Sequence, residues 1–121
     1  NISDGLVKQV MFTQLRDLHE EGALIIDVRE ADEYALGHIK GAKNIPLSQL
    51  RERLEELPKD QPLYVHCRSG QRSYNAARAL MQLGFEEVYN VAGSFVALCW
   101  YEYYQDKTQG RDPIVTAYNF E

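Results

Sequence analysis

Four short apolar runs, each followed by apolar residues at helical spacing, constrain this chain more than any other feature of it. Ala23 to Val28 (ALIIDV), bounded by a glycine and a charged cluster, has the continuous hydrophobicity of a strand buried on both faces. Ala42 to Ile45, Pro62 to His66 and Val88 to Val91 repeat that pattern. The intervening segments predict helices. Thr13 is placed to cap one through Leu15 and Leu18 that Gly22 stops, and Glu30 to Leu36 predicts a short acidic one. Ser48 is placed to cap a helix whose Leu50, Leu54 and Leu57 share one face before Pro58. Ser73 is placed to cap another, carrying Ala76, Ala77, Leu80 and Met81 and ending at Gly84, and Gly93 opens a helical stretch through Phe95, Leu98, Trp100 and Tyr101. Strands alternating with helices predict an α/β sandwich with a mostly parallel sheet, whose ligands bind beyond the carboxyl ends of the strands.

Size and charge narrow the function. A chain of 121 residues is read as a single domain over 1–121, large enough to bury a core without a metal or disulfide staple. Thirteen Lys plus Arg against eighteen Asp plus Glu leave a net charge of -5, which excludes a surface built to neutralise nucleic-acid phosphates or anionic lipid. Cys67 and Cys99 form no CxxC or zinc-ligand pattern, so no metal is expected and reduced thiols in the cytoplasm are the reading. The longest apolar run, Phe95 to Tyr101, falls far short of the roughly 20 residues a membrane helix needs. No GxGxxG or Walker loop follows a strand, so a nucleotide cofactor is not expected. Asn1 stands where Met would begin a chain, which is expected of a piece of something longer.

One segment combines chemistry with the right place. The strand Pro62 to His66 runs into Cys67-Arg68-Ser69-Gly70-Gln71-Arg72-Ser73, which must curl back into a helix whose first N–H groups lack intrahelical partners. Such donors form an anion cradle, and Gly70 permits the positive φ that turns successive amides inward. Arg68 and Arg72 add two cations to an otherwise acidic protein. A thiol at that position ionises more readily than a free cysteine, which makes Cys67 the candidate nucleophile. His66 alternates with Cys67 and is read as a core residue, and His19 and His38 have no partner at a telling spacing. Cys99, beside Trp100 in an apolar helix, is read as core.

Three stretches, taken together in their order and spacing, resemble the rhodanese domain: Ile26-Asp27-Val28-Arg29 with Glu33-Tyr34, then Gly37 to Pro46 (GHIKGAKNIP), and the Cys67 to Ser73 loop. The resemblance covers about residues 6–104, leaving 105–121 as an aromatic-containing tail. It implies a three-layer sandwich around a sheet of about five strands, and a sulfurtransferase in which Cys67 takes the outer sulfur of thiosulfate or a persulfide, holds it as a persulfide and passes it to a thiophilic acceptor. Arg68, Ser69, Gly70, Gln71, Arg72 and Ser73 would then bind the substrate, the two arginines orienting an anionic donor. Arg29 and Glu33 would form a structural ion pair, with Asp27 close beneath the site. Where the family often carries two glycines after the last strand, this chain has Ala92-Gly93-Ser94.

A narrower resemblance rests on Asn1-Ile2-Ser3-Asp4-Gly5, which look like the joint that attaches such domains to flavin-dependent coenzyme A disulfide or persulfide reductases. It implies a fused or partner reductase domain, to which FAD and coenzyme A would belong. Two other functions compete. A phosphatase or arsenate reductase of related fold uses a Cys-x5-Arg loop, whereas Cys67 and Arg72 make Cys-x4-Arg, a ring too small for phosphate. A non-catalytic rhodanese-like binding module commonly lacks the cysteine that this chain keeps. Trp100, Tyr101, Tyr103, Tyr104, Tyr118 and Phe120 imply a tail that packs either on its own core or on a neighbour.

Overall fold

The computed structural model describes residues 7–120; the joint read into Asn1 to Gly5 lies outside them. Five strands form one sheet: β1 (Lys8–Met11), β2 (Leu24–Asp27), β3 (Lys43–Asn44), β4 (Leu63–His66) and β5 (Val88–Ala92), in the order β1-β5-β4-β2-β3. All four pairings are parallel. Helices α1 (Leu15–Glu20), α2 (Ala31–Leu36), α3 (Gln71–Gln82) and α4 (Ser94–Gln109), with 3-10 segments over Phe12–Gln14 and Leu47–Glu56, make up the other regular elements of the described residues.

Strand alternation sends one set of side chains to each face. Ile26, Leu63, Val65 and Val88 pack with Ala76, Ala77 and Leu80 of α3 and with Leu50 and Leu57. Ile25 and Val91 pack on the opposite face with Leu15 of α1 and Phe95, Leu98 and Cys99 of α4. The result is a three-layer α/β sandwich with two apolar cores.

Three predicted caps are displaced. Thr13 lies inside a 3-10 turn over Phe12–Gln14, because the Gln14 side chain accepts the Met11 N–H at 2.9 Å and takes the capping role. Ser48 lies inside the segment that Pro46 starts, and that segment kinks at Arg53, whose guanidinium reaches Glu56 and Gln49. Ser73 falls in the first turn of α3 because Gly70, at φ +117°, occupies the position before Gln71. β1 has no counterpart among the four apolar runs.

The tail folds back on its own domain. α4 continues through the polar stretch to Gln109, Ile114 and Val115 join the second core, and Val115 bridges Ile39. Buried Glu102 and Asp106 on α4 are met by Arg16 and Arg111, and the Tyr118 hydroxyl donates to Asp106 at 2.6 Å. Phe120 packs against Trp100, Tyr103 and Tyr118. The Asn119 N–H lies 3.4 Å from Cys99 Sγ, and burial pushes the Cys99 thiol above its ordinary pKa.

Candidate active site

β4 ends at His66 and delivers Cys67 to the carboxyl edge of the sheet. Alternation turns His66 to the α4 face, where its ring stacks on Phe95 and its Nε2 lies 3.7 Å from Asp27. Burial holds the His66 pKa below the ordinary imidazole value, so the ring is neutral. Cys67 belongs to the other core and is 1% exposed.

The turn after β5 holds the Cys67 backbone. Ser94 Oγ accepts the Cys67 N–H at 3.1 Å, Phe95 N–H donates to the Cys67 carbonyl at 3.0 Å, and Val96 N–H donates to that of Arg68 at 3.1 Å. Gly93 and Ser94 both take left-handed backbone, at φ +86° and +51°. A side chain at Gly93 would meet the Phe12 ring at 2.5 Å. Ser94 carries the backbone strain of a residue that glycine would relieve, roughly 1–2 kcal/mol, and supplies in exchange the hydroxyl that fixes Cys67.

The curl that follows closes around sulfur. Gly70 N–H and Ser73 N–H point at Cys67 Sγ from 3.1 and 3.3 Å, at the N-terminus of twelve-residue α3. Burial pushes the Cys67 pKa up, but hydrogen bonds from the Ser73 hydroxyl and from the amides of Ser73, Gly70 and Ser69 outweigh it, and the thiol lies below its ordinary value. The single proton of the Ser73 hydroxyl is shared between the sulfur and Asn90 Oδ1, which lies 2.6 Å away, so β5 positions one of the groups beside the sulfur.

The six residues predicted to bind substrate separate into groups. Ser69, Gly70 and Ser73 surround the sulfur; Gln71 is exposed on the first turn of α3. Arg68 is exposed, and its guanidinium meets no described residue. Arg72 is tied to Glu33 by two bonds of 2.7 and 2.9 Å, which hold the Glu33 carboxyl at about 2. The ion pair predicted between Arg29 and Glu33 is therefore replaced by two others. Arg29 turns inward to Asp27, with Nη2 to Oδ2 at 2.7 Å, because there it also reaches the Gly37 carbonyl and the Phe95 ring. Glu33 is left to face the loop. Sequence reasoning missed Ser94 and Asn90; the available signal for Asn90 was a polar residue inside the apolar run of β5.

The model of the rhodanese-like domain matches residues 11–99. The chain belongs to the rhodanese-like domain family. YqhL of Bacillus subtilis, an uncharacterized protein, is 49% identical over 73 residues, 60% of this chain and 58% of that protein. A thiosulfate sulfurtransferase GlpE of Ectopseudomonas mendocina is 35% identical over 88 residues, 73% of this chain and 81% of the enzyme. A crystal structure of reduced CoADR-RHD from Bacillus anthracis superposes with a TM-score of 0.72 at 48% identity, covering 81% of this chain but only 17% of that one. Among the described residues no helix is long and apolar enough to cross a membrane, and no group of His, Cys, Asp and Glu is arranged to hold a metal. The domain is of the rhodanese sulfurtransferase type.

Proposed function

We propose that this rhodanese domain moves sulfane sulfur through a persulfide on Cys67. The observation that carries the reading is the ring of N–H groups closing on Cys67 Sγ. The Cys67 thiolate attacks the outer sulfur of thiosulfate, the S–S bond breaks, and sulfite leaves with the bonding pair. The enzyme persulfide is again an anion, so the same donors stabilise resting and loaded states. A thiophilic acceptor then takes the outer sulfur and returns the pair to Cys67. Arg68, whose charge no described residue meets, faces the anionic donor.

The phosphatase reading loses its arginine. Both bonds from Arg72 go to Glu33, and the Cys-x4-Arg loop is one residue shorter than the Cys-x5-Arg loop of a phosphatase, which favours the sulfur reading. The likeness to CoADR-RHD supports a further proposal, that the domain works fused to or beside a flavin-dependent coenzyme A disulfide or persulfide reductase. FAD and coenzyme A then serve the reductase portion, outside this chain.

Sulfur transfer from thiosulfate to cyanide, compared among wild type, Cys67→Ser and Cys99→Ser, tests the assignment. Cys67→Ser is expected to lose all transfer while remaining folded, and Cys99→Ser to keep most of it. The reverse pattern would move the persulfide to Cys99.

A further inference from the structure

One hydroxyl proton beside Cys67 has more acceptors than it can serve. Ser73 Oγ, fully buried in the first turn of α3, lies 2.6 Å from Asn90 Oδ1 of β5 and 3.2 Å from the Gly70 carbonyl, and it also reaches Cys67 Sγ. The Gly70 carbonyl already accepts the Tyr74 N–H at 3.0 Å, which leaves the amide oxygen and the sulfur as the effective competitors. A hydroxyl has a single hydrogen to donate, so a bond made to one acceptor is lost to the other. The Gly70 and Ser73 N–H groups are fixed by the curl and cannot turn away from the sulfur.

The charge on the sulfur decides where the proton goes. A neutral sulfur, whether thiol or the inner atom of a persulfide, is a weak acceptor, and an amide oxygen at 2.6 Å holds the proton against it. A thiolate is a charged acceptor, whose bonds are about twice as strong as neutral ones, and draws the proton away. Val88 shares the α3 face of β5 and packs in the apolar core, so the buried amide of Asn90 departs from the pattern of its strand at the point where it meets Ser73.

We propose that Asn90 is a positioning residue that holds the Ser73 proton while the sulfur of Cys67 is neutral and yields it when negative charge returns there. The loaded half of this exchange rests on the persulfide reading above. When cyanide attacks the outer sulfur of the Cys67 persulfide, a C–S bond forms, the S–S bond breaks, and its electron pair moves to Cys67 Sγ as thiocyanate leaves. The Ser73 hydroxyl then turns from Asn90 Oδ1 to the new thiolate, so its bond is strongest where charge develops. Asn90 thereby opposes ionisation of the resting thiol. A scaffold role, in which Asn90 only steadies Ser73 against the sulfur, would favour ionisation instead. The charged and titratable groups around the loop are Arg72 with its partner Glu33, exposed Arg68, and neutral His66 behind β4, and substitution of Asn90 alters none of them.

The two roles give opposite signs. Thiolate ultraviolet absorbance against pH is measured in the Cys99→Ser background, so that one thiol titrates, with Asn90→Val, with Ser73→Ala and with both, each checked for folding by circular dichroism. Asn90→Val is expected to shift the Cys67 midpoint down, because the freed hydroxyl stays on the sulfur. In the Ser73→Ala background, where no proton is contested, it is expected to leave the midpoint unchanged. Asn90→Asp keeps an acceptor oxygen and adds charge to it, and is expected to shift the midpoint up, by more with Ser73 present than without; it carries the test if Asn90→Val does not fold. Cyanide discharge of protein loaded with thiosulfate, followed by mass spectrometry, is expected to slow severalfold in Ser73→Ala and not in Asn90→Val. A midpoint that Asn90→Val raises or leaves unmoved, a shift from either Asn90 variant that is the same without Ser73, or discharge slowed in Asn90→Val would overturn the role of Asn90 while leaving the persulfide in place. Protein that takes up no sulfur would overturn the persulfide reading and the loaded half with it, and the midpoints of the resting protein would still decide the other half.

Discussion

Replacing Ser73 by Ala isolates the contribution of one donor to the reactive sulfur. The variant keeps the backbone N–H at 3.3 Å from Cys67 Sγ and removes only the hydroxyl. Burial raises the Cys67 pKa and the Ser73 hydroxyl is the largest single contribution opposing it. A hydrogen bond to a charged group contributes about 1.5–3 kcal/mol. The Ser73 hydroxyl is shared with Asn90 Oδ1 and the Gly70 carbonyl, so the lower end applies. The Cys67 titration is therefore expected to move up when the hydroxyl is removed. Below the midpoint, thiolate content and the rate of alkylation by iodoacetamide then fall together. Thiolate ultraviolet absorbance against pH, read beside the alkylation rate, checks both. Asn90 Oδ1 loses its partner as well, so the denaturation midpoint also falls, by an amount equivalent to about 1–3 kcal/mol. A folded Ser73→Ala protein whose thiolate midpoint has not moved would refute the reasoning.

Other outcomes follow from the same geometry. Arg68→Ala is expected to raise the KM for thiosulfate severalfold, and Arg72→Ala to raise it less, because Glu33 already meets the Arg72 charge; steady-state kinetics with both variants decides. Glu33 has its folded pKa lowered to about 2, so its pairing stabilises the fold above the unfolded value of about 4.5 and is lost as pH falls toward 2. The stability difference between wild type and Glu33→Gln, up to about 1 kcal/mol after solvent screening, should therefore be present at neutral pH and close over that acid interval in chemical denaturation. Ser94→Ala removes the acceptor for the Cys67 N–H and should cost about 1–3 kcal/mol of stability together with slower sulfur loading.

Burial decided what could be read from residue order. β2, β4 and β5 are covered on both faces, so their apolar runs stand out. β1 is an edge strand with exposed Lys8, Gln9 and Met11, and its sequence carries no strand signal strong enough to find it. The Cys67 loop was legible because its chemistry is contiguous: strand, thiol, glycine turn and helix start follow within seven residues. Asn90 and Ser94 were not, since they reach the sulfur from β5 and α4 through pairings that only the folded sheet creates. The Arg29 and Glu33 pairing failed for a related reason. The family resemblance implied that pair, whereas Arg29 precedes α2 and turns inward to Asp27 and the Gly37 carbonyl, contacts that residue order alone does not show. The tail's aromatic content announced packing, but its place was set by Arg16, ninety residues away from Asp106.

The persulfide itself is the most direct test. Purified protein is treated with thiosulfate, separated from excess reagent, and digested under conditions that preserve persulfides, and the peptides containing Cys67 and Cys99 are weighed. Cys67 in the ring of Ser69, Gly70 and Ser73 should carry one added sulfur, about 32 Da, and release it as thiocyanate when cyanide is added, while the Cys99 peptide stays unmodified. An unmodified Cys67 after exposure to both thiosulfate and polysulfide, or sulfur found on Cys99 instead, would contradict the account.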